Sequence, residues 1–266
     1  NSARRQRQMC IRDRYIDKVS GHSFYRCEEE QFMIEVKNVS KSFGKQQVVD
    51  DISISFNAGE VVGLIGPSGT GKTTLIQCIL GMEKIDGGQV TIQEHTMPNR
   101  KILSNIGYMA QNDALYNDLT GRENLTFFAR IYMRDKEDIK KRVNLCSSMV
   151  QLDNDLDKKV EMYSGGMKRR LSLAISFLQN PNILILDEPT VGIDPKLRQT
   201  IWKDLTKAKA EDKCIIVTTH VLDEATRCDK LVLMNQGKIL ATGTPDEVKK
   251  QYHTDTIEGV FLNMEG

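Results

Sequence analysis

Apolar residues alternate with polar ones at Ile34, Val36 and Val39, and again at Ile52, Ile54 and Phe56. A period of two with one apolar face predicts antiparallel strands, each with one buried side. The pattern changes after Asn57-Ala58-Gly59, a turn that leads into the unbroken apolar run Val61-Val62-Gly63-Leu64-Ile65. A run of that kind suits a strand covered on both faces. Residues 71–81 then read as helix, Gly87-Gly88 as a turn into a strand around Val90 and Ile92, and residues 106–109 as a further short strand.

Residues 112–180 are mostly helical in pattern, with Leu125, Phe128 and Ala129 followed by Val143, Cys146 and Val150. They read as a helical insert. Buried-strand pattern returns at 183–186 and 214–218, on either side of a helix in which Leu197, Ile201, Leu205 and Ala208 fall at helical spacing. A hairpin of residues 231–234 and 238–241 turns at Asn235-Gln236-Gly237. The elements predict an α/β fold with a mixed central sheet, an antiparallel β subdomain and a helical insert subdomain.

Before Gln31 the chain has neither period, only an arginine cluster and the run Glu28-Glu29-Glu30. Arg5-Gln6-Arg7-Gln8-Met9-Cys10-Ile11-Arg12-Asp13-Arg14 resembles a translated sequencing-adapter fragment. Residues 1–32 are therefore expected to be a disordered or non-native extension, with Met33 as the natural start. A basic arm for lipid or nucleic acid is the weaker reading, because Asp13 and Asp17 interrupt the arginines. Residues 33–250 are expected to form one domain, and 251–266 a tail.

Composition narrows the function classes. Of 266 residues, 39% are apolar and 27% charged, an ordinary globular balance, and the net charge of +1 lacks the basic excess of a nucleic-acid binder. Leaving out residues 1–32 gives thirty basic against thirty-one acidic residues, so the conclusion holds without the arginine cluster. The apolar runs are of strand length, well short of the roughly 18 residues of a membrane span. The six cysteines are scattered, with no Cys-x-x-Cys pair, and read as free thiols in a reducing compartment.

Directly after the Val61–Ile65 run stands Gly66-Pro67-Ser68-Gly69-Thr70-Gly71-Lys72-Thr73-Thr74, a complete Gly-x-x-x-x-Gly-Lys-[Ser/Thr] pattern opening a helix. Glycines let successive backbone N–H groups turn inward, and the helix that follows adds its positive end, so the segment suits a polyphosphate. In that role Lys72 bridges the β- and γ-phosphates and Thr73 offers its hydroxyl to Mg²⁺. A Gly-rich turn with no ligand would give up chain entropy for nothing. The fold this predicts is a P-loop NTPase.

Residues 183–186 end in Asp187-Glu188. An apolar strand ending in two acids is by itself commonly a plain strand-to-turn junction. Paired with the phosphate loop, Asp187 is the expected Mg²⁺ carboxylate and Glu188 the general base for an attacking water.

Tyr163-Ser164-Gly165-Gly166-Met167-Lys168-Arg169-Arg170-Leu171, whose Ser164 stands twenty-three residues before Asp187, resembles the signature motif of ABC transporter ATPases. The resemblance runs over essentially all of 33–250. It places Phe43 as the adenine-stacking aromatic, Gln111 in the Q-loop near Mg²⁺, Val191-Gly192-Ile193-Asp194 as the D-loop and His220 as the switch histidine. It implies ATP and Mg²⁺ as ligands, and two cassettes facing head to tail so that Ser164, Gly165 and Gly166 of one close on ATP held by the other. Asp194 would then lie across the seam and His220 at the γ-phosphate.

Three positions depart from the family's commonest wording: Met167 for glutamine, Tyr163 for leucine and Val191 for a small residue. With Pro-Thr-Val-Gly-Ile-Asp-Pro at 189–195, the wording is most similar to ATPase subunits of exporters for drugs, antibiotics or envelope lipids and polysaccharides. The resemblance implies a homodimer or heterodimer of cassettes, separate transmembrane permease subunits, no direct nucleic acid, and a peripheral place on the cytoplasmic face of the membrane. Lys168-Arg169-Arg170 reads as a solvated helix face. A soluble ABC ATPase of another system, such as iron–sulfur cluster assembly, is the alternative. A GTPase would need the Asn-Lys-x-Asp motif, which the chain lacks.

Overall fold

The computed structural model describes residues 14–16, 23–25 and 32–264. Strands β1 (Arg14–Ile16) and β2 (Ser23–Tyr25) pair antiparallel. The rest of the extension expected before Phe32 lies outside the described residues.

The long strands β3 (Ile34–Phe43) and β4 (Gln46–Phe56) pair antiparallel, with Ile34 opposite Phe56 and Val36 opposite Ile54. Their alternating apolar side chains are buried, as the period of two predicts. After β5 (Val61–Ile65) and α1 (Lys72–Ile79), strands β6 (Gly87–Ile92) and β7 (His95–Thr96) complete an antiparallel sheet of order β4-β3-β6-β7.

The second sheet takes β5 and, after the first sheet is complete, β8 (Ile106–Met109), which is followed by α2 (Gly121–Tyr132), α3 (Lys136–Met149) and α4 (Gly165–Ser176). Then follow β9 (Ile183–Asp187), α5 (Pro195–Ala210), β10 (Cys214–Thr219) and the single turn α6 (Leu222–Ala225). The hairpin β11 (Lys230–Asn235) and β12 (Lys238–Gly243) leads to α7 (Pro245–Gln251) and α8 (Ile257–Met264). Its order is β12-β11-β5-β10-β9-β8, all neighbours parallel except β12 on β11.

The unbroken apolar runs now have a reason. On β9, Ile183 and Ile185 face the antiparallel sheet and α1, whereas Leu184 and Leu186 face the core shared with α5 and the insert helices. Cys214 and Ile216 against Ile215 and Val217 divide β10 in the same way. With both faces covered, the body of each strand is apolar, and polar side chains come only at the carboxyl ends, at Asp187 of β9 and Thr218-Thr219 of β10. The four described cysteines, Cys78, Cys146, Cys214 and Cys228, are free and buried in these cores. Burial pushes the thiols of Cys214 and Cys228 up to about 12, so they pack as small apolar groups.

Two expectations need adjustment. The helical insert was expected over 112–180, but α4 also belongs to the main sheet: a Cβ on Gly107 of β8 would stand 2.1 Å from the carbonyl oxygen of Ser176. Leu125, Val143 and Val150 of the insert and Leu171 of α4 share one apolar core with β9 and β10. The segment after residue 250, expected as a tail, instead forms α8, whose Ile257 and Val260 are buried in that same core. Removing buried methyl groups there should cost about 1–3 kcal/mol. Val260→Ala is expected to lower the denaturant midpoint accordingly; an unchanged midpoint would mean that α8 is a loose tail after all.

Candidate functional site

β5 lies between β10 and β11, and its carboxyl end releases the chain into the loop 66–71. Ligands of open parallel sheets bind beyond the carboxyl ends of such strands. Two glycines there are dictated by space. A Cβ on Gly66 would stand 2.1 Å from the carbonyl oxygen of Met234, and one on Gly71 2.3 Å from that of Val48, with Gly71 at φ +98°. Thr70 braces the curl, its hydroxyl donating to the Pro67 carbonyl at 2.9 Å while its own carbonyl accepts from Gly237 N at 3.1 Å.

Lys72, the first residue of α1, folds back inside the loop. Its Nζ donates to the carbonyls of Gly66 at 2.7 Å and Pro67 at 2.8 Å. Burial pulls its pKa down, and the charges of Glu188 and Asp187 oppose that shift. An ammonium so held, by two carbonyls and at 3.4 Å by the Thr70 hydroxyl, has no carboxylate in hydrogen-bond contact and can turn to an anion entering the loop.

Asp187 closes the other side. It is 1% exposed, and its two carboxylate oxygens accept from the hydroxyls of Thr73, at 2.9 Å, and Thr218. Three elements, α1, β9 and β10, thus converge on one carboxylate. A buried carboxylate beside a threonine hydroxyl is a hard-oxygen donor pair that fits Mg²⁺, which takes one or two protein oxygens and completes its shell from phosphate and water. Among the described residues no group of three or more His, Cys, Asp or Glu could hold a metal by itself.

Glu188 has a left-handed backbone at φ +53°, and its N–H donates to Thr218 through both the carbonyl, at 3.1 Å, and the hydroxyl, at 2.9 Å. That turn aims its carboxylate at His220, whose Nδ1 lies 3.0 Å away. The His220 side chain is 52% exposed, so the pair sits at the mouth of the site. Non-glycine residues hold such a φ only where their surroundings impose it.

A cleft of about 270 Å³ joins these parts. It is lined by the loop residues Ser68, Gly69, Gly71, Lys72, Thr73 and Thr74, with Gln111, Asp187, Glu188 and Val48. Phe43, His220, Asp194 and the segment 164–166 do not line it. Phe43 is 47% exposed on β3, with Lys41 Nζ 4.8 Å from its ring centre. Ser164 caps α4, accepting from Met167 N at 3.2 Å, and Asp194 caps α5, accepting from Leu197 N at 3.0 Å. Gly166 and Gly192 are neighbours, since a Cβ on Gly166 would meet the Gly192 carbonyl at 2.9 Å.

Two groups escaped the sequence reading. Lys168-Arg169-Arg170 is not a solvated face: Arg169 is 7% exposed and donates to backbone carbonyls, and Arg170 donates to the Gln151 carbonyl at 3.0 Å. Charge alone suggested solvent, and only the fold brings backbone carbonyls to that helix face. Glu224, 1% exposed, accepts from the hydroxyls of Thr190 and of Thr219, the latter at 2.6 Å, and Arg198 Nε stands 3.8 Å from it. It ties the segment after Glu188 to the residue before His220.

A tightly curled Gly-x-x-x-x-Gly-Lys-Thr loop, a buried carboxylate bonded to two threonine hydroxyls and an acid–histidine pair beyond the ends of parallel strands are the arrangement of a nucleotide-hydrolysing P-loop protein. The chain belongs to the ABC transporter family, whose model matches residues 49–191. Nod factor export ATP-binding protein I of Sinorhizobium fredii (strain NBRC 101917 / NGR234) is 39% identical over 85% of this chain and 67% of its own length. Relatives of that name are matched over 64–75% of their length. An ATP-binding subunit of an ABC transporter superposes with a TM-score of 0.81 at 27% identity, covering 88% of this chain and all of that one. A dimeric ATP-binding cassette in a post-hydrolysis state with ADP and Pi gives 0.74 at 26% identity, covering 80% of this chain and 98% of the other.

The Lys72 geometry carries a direct expectation. Lys72→Ala removes the only ammonium among the cleft's lining residues and should lower ATP turnover by at least about a hundredfold. Phosphate release from protein with an unchanged melting transition measures it.

Proposed function

We propose that this chain is the ATP-binding and hydrolysing subunit of an ABC exporter whose membrane-spanning subunits are separate chains. One observation carries the mechanism. Ser164, Gly165 and Gly166 form a capped, glycine-rich helix start, a ready anion site, yet they lie outside the cleft that their own chain builds. A second cassette turned head to tail would bring its phosphate loop to them. The dimeric cassette with ADP and Pi and the export proteins among the relatives support this reading.

In that arrangement the loop 66–71 and Thr74 wrap the phosphates, Lys72 leaves its carbonyl partners for the β- and γ-phosphates, and Phe43 stacks on the adenine. Mg²⁺, held by Thr73 and Asp187 with Gln111 beside them, supplies charge neutralisation at the phosphate oxygens when bound. Glu188 accepts the proton of the attacking water, and His220 holds the γ-phosphate and steadies the Glu188 carboxylate. Asp194 faces the partner cassette across the seam. The two cassettes are identical or closely similar, and the assembly sits peripherally on the cytoplasmic face of the membrane through its permease.

Closure and hydrolysis separate cleanly in one variant. Glu188→Gln keeps the shape of the site but removes the base. It should cut turnover by about 10²–10⁴-fold and leave an ATP-dependent dimer on size exclusion. A protein that stays monomeric at saturating ATP would overturn the shared-site mechanism.

A further inference from the structure

Arg169 occupies an unusual position for a cation. On α4, a helix outside the cleft, it is 7% exposed and reaches back between the ends of two strands. The β8–β9 ladder stops at the pair Met109 and Leu186. Beyond it the two strands part, and of the carbonyls there that of Glu188 keeps a turn bond, from Val191 N at 3.4 Å. Nη1 of Arg169 donates to the carbonyls of Ala110 at 2.9 Å and Gln111 at 2.8 Å. Nη2 donates to the carbonyl of Asp187 and, at 2.8 Å, to that of Glu188, which also accepts from Nε at 3.2 Å. Asp113 Oδ1 stands 3.4 Å from Nη1 and is itself held by Ser172 Oγ at 2.7 Å.

Burying a guanidinium is costly unless its donors are satisfied, and an apolar side chain would fill the same space without that cost. What the planar fork adds is orientation, because it fixes two pairs of carbonyls relative to one another. One pair belongs to the segment of Gln111 and the other to the two acids of the site. The peptide that carries the Glu188 carbonyl also helps to set the left-handed turn aiming its carboxylate at His220.

We propose that Arg169 is a positioning residue that couples the segment carrying Gln111 to the backbone of Glu188, so that a displacement at Gln111 changes the alignment of the hydrolytic acid. This rests on Glu188 being the base. The side chain of Arg169 touches no reacting atom; its effect falls on the chemical step and spares nucleotide binding, which the loop 66–71 and Lys72 supply.

The test uses the full chain and steady-state ATP hydrolysis. Arg169→Gln should lower kcat by about tenfold to a hundredfold, the size expected of a small misplacement of a catalytic group, with KM for ATP changed by less than about threefold. Asp113→Asn, at an exposed position, removes the charge facing Nη1 and should lower kcat in the same direction by a smaller factor. In a Gln111→Ala background the loss caused by Arg169→Gln should shrink, because coupled residues are not additive. A folded Arg169→Gln protein with kcat within twofold of the parent overturns the proposal, as does a loss equally large with and without the Gln111 side chain. If Arg169→Gln does not fold, Asp113→Asn decides, and an unchanged kcat there overturns it. Should Glu188→Gln itself retain turnover, the assignment of the base fails; should Glu188→Gln lose turnover while Arg169→Gln keeps it, the coupling alone fails.

Discussion

The carboxylate of Asp187 is the fixed point of this molecule. It ends the most buried type of strand, where neither face can admit water, and two hydroxyls from different elements hold its two oxygens. Thr73 comes from the helix after the phosphate loop and Thr218 from the neighbouring strand. The same Thr218 receives the Glu188 N–H through both its oxygens. One threonine thereby sets where the magnesium-type acid ends and where the next acid begins. Shifting β9 by one residue against β10 would turn Asp187 to the opposite face and undo both contacts, so strand register and chemistry are one constraint.

Around that point the structure spends buried polar groups where mobility would be harmful. Arg169 spans the exits of β8 and β9, and Glu224 spans the segments after β9 and at the end of β10. Each is nearly inaccessible to solvent, and each finds its partners at strand ends and in the loops that follow them, past the end of the β8–β9 ladder. A buried network of this kind is favourable only when its members are paired, which makes it selective for one arrangement of the loops. The groups expected to meet a second molecule, Phe43 and His220, are by contrast about half exposed.

Much of this was legible in the sequence because it is local. Alternation placed β3 and β4, unbroken apolar runs placed β5, β9 and β10, and the motif at 66–74 announced a tight loop in which Gly66 and Gly71 prove to be required by close contacts with Met234 and Val48. A strand ending in two acids singled out Asp187 and Glu188 once that loop was recognised, and both line the same cleft as the loop. The roles of Arg169 and Glu224 could not, because their partners lie far along the chain or arise from backbone carbonyls that no side-chain pattern records. A basic triplet on a helix is ordinarily solvated, and only the gap between β8 and β9 makes one of its members a buried donor. The last helix was missed for a related reason. Ile257 and Val260 are too few to show a period, and they become core only because β12 and α7 carry the chain back over the sheet.

The separation of Ser164, Gly165 and Gly166 from the cleft bears on why such a chain is a half-machine. Within one chain the loop 66–71 and the segment 164–166 are held apart, because α4 is packed on β8 through Gly107 and against Gly192 through Gly166. On the proposed reading, a nucleotide touches both kinds of site by bringing in a second copy or a similar cassette. Its phosphate charge then becomes the attraction between chains, and cleavage of the terminal phosphate weakens the contact at its strongest point. On the proposed reading, the packing of α4 within one cassette leaves movement between cassettes as the outlet for the free energy of ATP binding.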